Sequence, residues 1–251
     1  MTSTIRSLAL LILLTLPHGT PVRAEDAPAN TACVPVGKLE NDFYDFYQRH
    51  EAILKMKAEI NPEIVLIGDS ITHLWGGEPK EPNGNRGAES WQALFGGRRV
   101  LNLGFGYDRT QNVLWRIDHG ELDGLKPKTV VIHIGTNNFS GTKNARANTP
   151  EEIAEGIQAV VERVQKKCAA EIILMAIFPR GQLANDPIRG QIAEVNKRLM
   201  ALAKAPQVTV LDLTDKLTEA DGSITREMMS DFLHPAAKGY AVWAEALKSR
   251  L

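Results

Sequence analysis

Five short apolar runs, each followed by turn formers and then by a segment of helical period, leave this chain little choice of architecture. The runs fall at 64–68, 100–104, 129–134, 171–177 and 207–213, and the helical segments at 87–95, 110–118, 150–168, 188–203 and 236–250. Strands that alternate with helices in this way form a parallel sheet with helices on both faces. Val130-Val131-Ile132 and Ile172-Ile173-Leu174 are apolar on successive positions, which is the pattern of strands buried on both sides. The expected fold is therefore α/β, a three-layer α/β/α sandwich around a five-stranded parallel sheet, with no repeat and no second domain. A further helix is expected over Leu39–Ile60, its aromatic residues Phe43, Phe46 and Tyr47 read as core packing.

Composition narrows the class further. A chain of 251 residues with 43% hydrophobic content and net charge −1 fits one domain with an ample core, and it carries no basic field for nucleic acid. Residues 1–24 read differently: Arg6, an apolar run from Leu8 to Leu16, Pro17, and small residues ending Val22-Arg23-Ala24. This is the layout of a cleaved secretory signal peptide, and the run is far short of the roughly 20 residues that span a bilayer. The expectation is a secreted or periplasmic protein with no stable membrane anchor. Residues 25–38 read as a mobile lead-in, and 39–251 as the single domain. Cys33 and Cys168 remain after cleavage, free to pair or not in an oxidising compartment, and neither has metal-ligand spacing. No metal and no cofactor are expected.

The first apolar run ends in Gly68-Asp69-Ser70, so a serine stands where a parallel strand opens onto the ligand crevice. The same tripeptide is also ordinary turn chemistry, with Asp capping a helix. A serine nucleophile needs a base, and the base an orienting acid. Asp231-Phe232-Leu233-His234 supplies both, and Pro235 fixes the entry to the last helix. His133 lies inside an apolar strand, and His50 and His119 on helices. His73 competes, three residues after Ser70, with only Asp69 nearby. Acyl transfer also needs donors for an oxyanion. Gly135-Thr136-Asn137-Asn138 ends the third strand at the same crevice, and Gly104-Phe105-Gly106-Tyr107-Asp108 ends the second. Either stretch read alone is equally a turn.

Gly68-Asp69-Ser70, the glycine-rich rim with Asp108, Gly135-Thr136-Asn137-Asn138 and Asp231-Phe232-Leu233-His234 resemble, in order, the four motif blocks of the GDSL/SGNH hydrolases, over roughly residues 60–250. The likeness is strong to the catalytic subunits of the intracellular platelet-activating-factor acetylhydrolase, through Asn112-Val113-Leu114-Trp115-Arg116, Gly120-Glu121-Leu122, Pro179-Arg180-Gly181 and Gly239-Tyr240. The resemblance implies a flavodoxin-like sheet, Ser70 as nucleophile, His234 as base and Asp231 as its orienter. It implies an oxyanion hole from the N–H groups of Ser70 and Tyr107 and the side chain of Asn137. In the family a glycine precedes the Asp of the second block. Tyr107 stands there in this chain, its N–H retained and its ring expected to overhang the acyl or leaving-group pocket. Asp69, Gly104, Gly106 and Asn138 are expected to touch substrate. The implied activity is hydrolysis of a small short-acyl, chiefly acetyl, ester of a carbohydrate or lipid by a monomer or homodimer. A lysophospholipase or thioesterase would use the same residues, and a noncatalytic carbohydrate-binding module would use only the rims.

Overall fold

The structure is a computed structural model that describes residues 29–80 and 84–251. The signal-peptide reading of 1–24 lies outside the described residues. Five strands, β1 (Ile64–Gly68), β2 (Val100–Gly104), β3 (Thr129–His133), β4 (Glu171–Met175) and β5 (Val208–Leu211), pair in parallel in the order β2-β1-β3-β4-β5. The strand order reverses between β1 and β3, so the chain leaves the sheet in opposite directions there and opens a crevice beyond the strand ends.

Because every strand is covered on both faces, alternate residues feed two cores. Val65, Ile67, Leu101, Leu103, Val130, Ile132, Ile172 and Leu174 face one layer. That layer is built from α1 (Phe46–Ile60), α4 (Thr110–Asp118), α5 (Pro150–Lys167) and α6 (Pro187–Leu199). Ile64, Leu66, Val131, Ile173 and Met175 face the other. There α2 (Ser70–His73), α3 (Ala88–Phe95), α7 (Thr214–Leu217) and α8 (Ala237–Lys248) pack around Trp75, Tyr240 and Trp243. The ring of Trp75 stacks on that of Trp243 with centroids 4.4 Å apart, and Tyr240 donates its hydroxyl to the carbonyl of Ile71 at 2.8 Å. The last helix is thereby locked against the short helix that begins at Ser70.

Two expectations need correction. The first helix begins at Phe46, not Leu39, because Asp45 caps it by accepting the N–H of Gln48 at 2.8 Å. Residues 39–45 are irregular. The lead-in expected to be mobile is, over its described part, tied to the domain: Ala32 is buried, Asn30 donates to Glu152 O and to Glu155 Oε2, and Val36 N–H donates to Gln111 O. Both thiols are free. Cys33 sits by the first turns of α5, with Asn30 bridging to it and to Glu155. Cys168 caps the far end of the same helix, so the two are about 20 Å apart at 1.5 Å per residue and cannot bond.

Candidate active site

Gly68 is where β1 must pass very close to its neighbours. A Cβ there would stand 2.1 Å from Thr72 Oγ1 and 2.4 Å from His133 O. The chain then turns straight into α2, with Asp69 as N-cap accepting the Ile71 N–H at 2.9 Å and Ser70 as the first helical residue. The capping and the nucleophile readings of this tripeptide are thus compatible: Asp69 is fully buried and Ser70 reaches the crevice.

Ser70 Oγ lies 2.9 Å from His234 Nε2, and His234 Nδ1 lies 2.7 Å from Asp231 Oδ2. The other oxygen of Asp231 accepts the N–H groups of His234 at 2.7 Å and Leu233 at 3.1 Å. Partial burial pushes the Asp231 carboxyl up, but the backbone and ring N–H of His234 outweigh it and hold it below the ordinary carboxylate value. The loop carrying both residues is pinned at its base by Ala236 N–H to Met228 O at 2.9 Å, and at its tip by Gly181 N–H to Phe232 O at 2.9 Å.

The turns after β2 and β3 meet beside this chain of hydrogen bonds. Asn137 donates one amide hydrogen to Asp108 O at 2.9 Å, which leaves its second for another acceptor. Tyr107 holds φ at 61°, a left-handed backbone that glycine adopts without strain, in a turn closed by Asp108 N–H to Phe105 O at 3.2 Å. Among the described residues the N–H groups of Ser70 and Tyr107 meet no acceptor. Asp108 is held from below by Arg116, whose Nε donates to Asp108 Oδ2 at 2.8 Å and whose fork also pairs with Glu121. Burial alone lowers the proton affinity of this guanidinium, but the two carboxylates outweigh it and keep Arg116 charged.

The structure joins Ser70, His234 and Asp231 in one relay and ties Asn137 to the turn of Tyr107 and Asp108; the four residues expected to touch substrate are buried. Asp69 caps α2 in a fully buried position, where desolvation pushes its carboxyl to about 7. Asn138 is fully buried and bonds Thr110, Gln111 and Asn148, tying α4 to the segment before α5. Gly104 gives its N–H to Asn102 Oδ1 at 2.8 Å and presses against His73, from whose N a Cβ would be 2.2 Å away. Gly106 gives its N–H to His73 Nδ1 at 3.2 Å and takes the Tyr44 hydroxyl on its carbonyl at 3.1 Å. Of the side-chain oxygens of these four and their partners, only Asp69 Oδ2 has no hydrogen-bond partner among the described residues.

The model of the GDSL-like lipase/acylhydrolase family matches residues 66–242. The chain belongs to this family. It is 35% identical over 217 residues to the platelet-activating factor acetylhydrolase IB subunit alpha2 of Rattus norvegicus, covering 85% of this chain and 86% of the relative. The alpha1 subunit of Homo sapiens is 34% identical over 229 residues, 90% of each chain. Among solved structures, a GDSL-like lipase from Bacteroides thetaiotaomicron superposes with a TM-score of 0.59 at 19% identity, over 80% of this chain and all of the other. An acetylxylan esterase from Geobacillus stearothermophilus does so with a TM-score of 0.58 at 20% identity, over 73% and 91%.

Within this GDSL-family frame, three features escaped sequence reasoning. Residues 42–44 pack on Gly106 and His73, and the start of α1 could have been placed correctly from Asp45-Phe46-Tyr47-Gln48, a cap followed three residues on by Gln. His73 is a neutral acceptor for Gly106, its basicity pushed down to about 2 by burial and by Arg49 and Arg116. Arg116 stands three residues after the buried Val113 on α4, and a lone charge at a core phase was its signal. His133 is buried and accepts the Phe178 N–H at 3.4 Å, consistent with its reading as a core residue. Among the described residues no helix is long and apolar enough to cross a membrane, and no cluster of three metal-ligating side chains occurs.

Proposed function

We propose that this protein is a serine esterase that removes short acyl groups, chiefly acetyl, from alcohol esters, and that it is exported. The observation that carries the reading is the continuous relay from Ser70 Oγ to His234 Nε2 at 2.9 Å and from His234 Nδ1 to Asp231 Oδ2 at 2.7 Å. A noncatalytic binding module would have no use for that alignment. Export rests on the sequence of residues 1–24.

In the proposed reaction Ser70 Oγ attacks the ester carbonyl while His234 Nε2 takes its proton. Asp231 holds the imidazole in the tautomer that leaves Nε2 free, and stabilises the imidazolium. The oxyanion is received by the N–H groups of Ser70 and Tyr107 and the second amide hydrogen of Asn137, a single such donor contributing on the order of 3 kcal/mol. The tetrahedral adduct expels the alcohol, which takes the proton from His234. Water, deprotonated by His234, then attacks the acyl-Ser70, and the proton returns to Oγ as the acid leaves. The acetyl preference is supported by the relatives' names, since both an acetylhydrolase and an acetylxylan esterase release acetyl groups.

The test is Ser70→Ala assayed on p-nitrophenyl acetate beside the wild type. Turnover is expected to vanish with the circular-dichroism spectrum and Tm unchanged. Retained turnover would overturn the assignment of Ser70. A series of p-nitrophenyl esters from acetate to octanoate checks the acyl preference, with kcat/KM expected to fall as the chain lengthens.

A further inference from the structure

Residues 39–45 precede α1 and lie outside the stretch that the family model matches, yet three consecutive side chains from them pack on Gly106 and His73, beside the turn that carries Tyr107. Asp42 uses Oδ1 to accept the Phe43 N–H at 2.7 Å. Its Oδ2 sits over Gly106, so closely that a Cβ there would be 1.7 Å from it. Gly106 directly precedes Tyr107, and on the other side His234 is near enough for its charge to act on Asp42, whose carboxyl is raised by burial against that pull. Asp42 therefore borders the turn after β2, within electrostatic reach of the histidine.

The neighbouring rings are held rigidly. Phe43 stacks on His73 with centroids 5.5 Å apart and planes 27° apart, and stays 45% exposed. Tyr44 meets His73 edge-on at 4.8 Å and bonds Gly106 O. Tyr107 is 54% exposed on the same turn. A carboxylate, which only accepts hydrogen bonds, thus lies beside exposed, preorganised aromatic surface.

We infer that Asp42 and Phe43 form the subsite for the alcohol half of the ester, and that they select a neutral, hydroxyl-rich leaving group such as a sugar ring. This rests on the esterase reading above. Hydroxyls donate to Asp42, and the C–H face of a ring lies on Phe43. An anion close to the ester is repelled. In a glycerophospholipid the phosphate is only a few bonds from the acyl ester, so it meets the partly desolvated Asp42 before any distal ammonium does.

The experiment compares kcat/KM of the wild type, Asp42→Asn and Phe43→Ala on O-acetylated xylotriose, a short-acyl phosphatidylcholine and acetylcholine, with p-nitrophenyl acetate as the activity control. Asp42→Asn is near-isosteric and Phe43 is half exposed, so both variants are expected to fold. The wild type should favour the acetylated sugar. Asp42→Asn should raise the phospholipid rate and lower the sugar-to-phospholipid ratio by about tenfold, and Phe43→Ala should raise KM for the sugar by about tenfold with kcat little changed. A ratio unmoved by Asp42→Asn in an enzyme that turns over p-nitrophenyl acetate overturns the subsite alone. A wild-type preference for acetylcholine that Asp42→Asn abolishes overturns it in favour of a cation site. Failure on all four esters overturns the esterase reading and the subsite together.

Discussion

Asp231 divides its work between two oxygens: Oδ1 takes two backbone N–H groups and shapes the loop, while Oδ2 takes His234 Nδ1. An asparagine keeps an acceptor for the backbone but presents an N–H₂ to the ring, which inverts the tautomer and turns a ring N–H toward Ser70. His234→Ala removes the proposed base itself. Asp231→Asn is therefore expected to lower kcat on p-nitrophenyl acetate by roughly 10⁴-fold and His234→Ala by roughly 10⁶-fold, as in triads where the acid orients and the histidine transfers the proton. Equal losses in steady-state kinetics would give Asp231 a further role. The contact between Asp231 and His234 was legible in the sequence, because a carboxylate three residues before a histidine can reach its ring. Asn138 and Asp69 were misread for the converse reason: a polar residue beside a motif looks like a ligand contact until its burial is known.

At the scale of elements, α4 does more than cover the sheet. It carries Arg116 beneath the turn after β2, where the guanidinium binds Asp108, Glu121 and the carbonyl of Leu103 at 3.1 Å, its face 4.0 Å from the centroid of the Phe105 ring. Arg116→Met takes from the buried carboxyl groups of Asp108 and Glu121 the guanidinium that they hydrogen-bond, and breaking a buried pair of this kind costs about 3–5 kcal/mol. The expected outcome is a matching fall in the urea midpoint, and an unchanged midpoint would mean that the guanidinium contributes no net stability at this place. Local chemistry decided how well each element could be read. The start of α5 was legible because Thr149-Pro150-Glu151-Glu152 is a capping box with Pro at the first helical position, and the structure forms both of its bonds. The start of α1 was missed because Phe43 continues the apolar period of the helix across the Asp45 cap, although it packs on His73, 30 residues away, and not within the helix.

The whole molecule was readable as a sheet because burial on both faces writes apolar residues on successive positions, at 64–67 in β1, 130–132 in β3 and 172–175 in β4, irrespective of partners. Long-range placement was not, and this is why the packing of 42–44 on Gly106 and His73 escaped notice. The two-sided burial has a cost that can be measured. His133 ends β3 at the layer of Phe178 and Trp243, with ring centroids 4.2 and 5.5 Å away, and burial pushes its pKa down to about 3. In the unfolded chain the same ring titrates near its ordinary value of 6.5. Between those two values the unfolded state binds a proton that the native state refuses. His133 thus withdraws about 1.4 kcal/mol of stability per pH unit as the pH falls below 6.5. Asp69 acts in the opposite sense, its raised carboxyl binding a proton in the fold before the unfolded chain does, so the wild-type curve alone does not isolate either group. The comparison that does is His133→Gln, which retains an acceptor for the Phe178 N–H and has no charge to gain. Urea unfolding at pH 6.5 and at pH 4.5 is expected to show the variant losing less stability than the wild type over that interval, by up to about 2–3 kcal/mol. Parallel losses in the two proteins would mean that His133 takes up its proton without unfolding the layer around it.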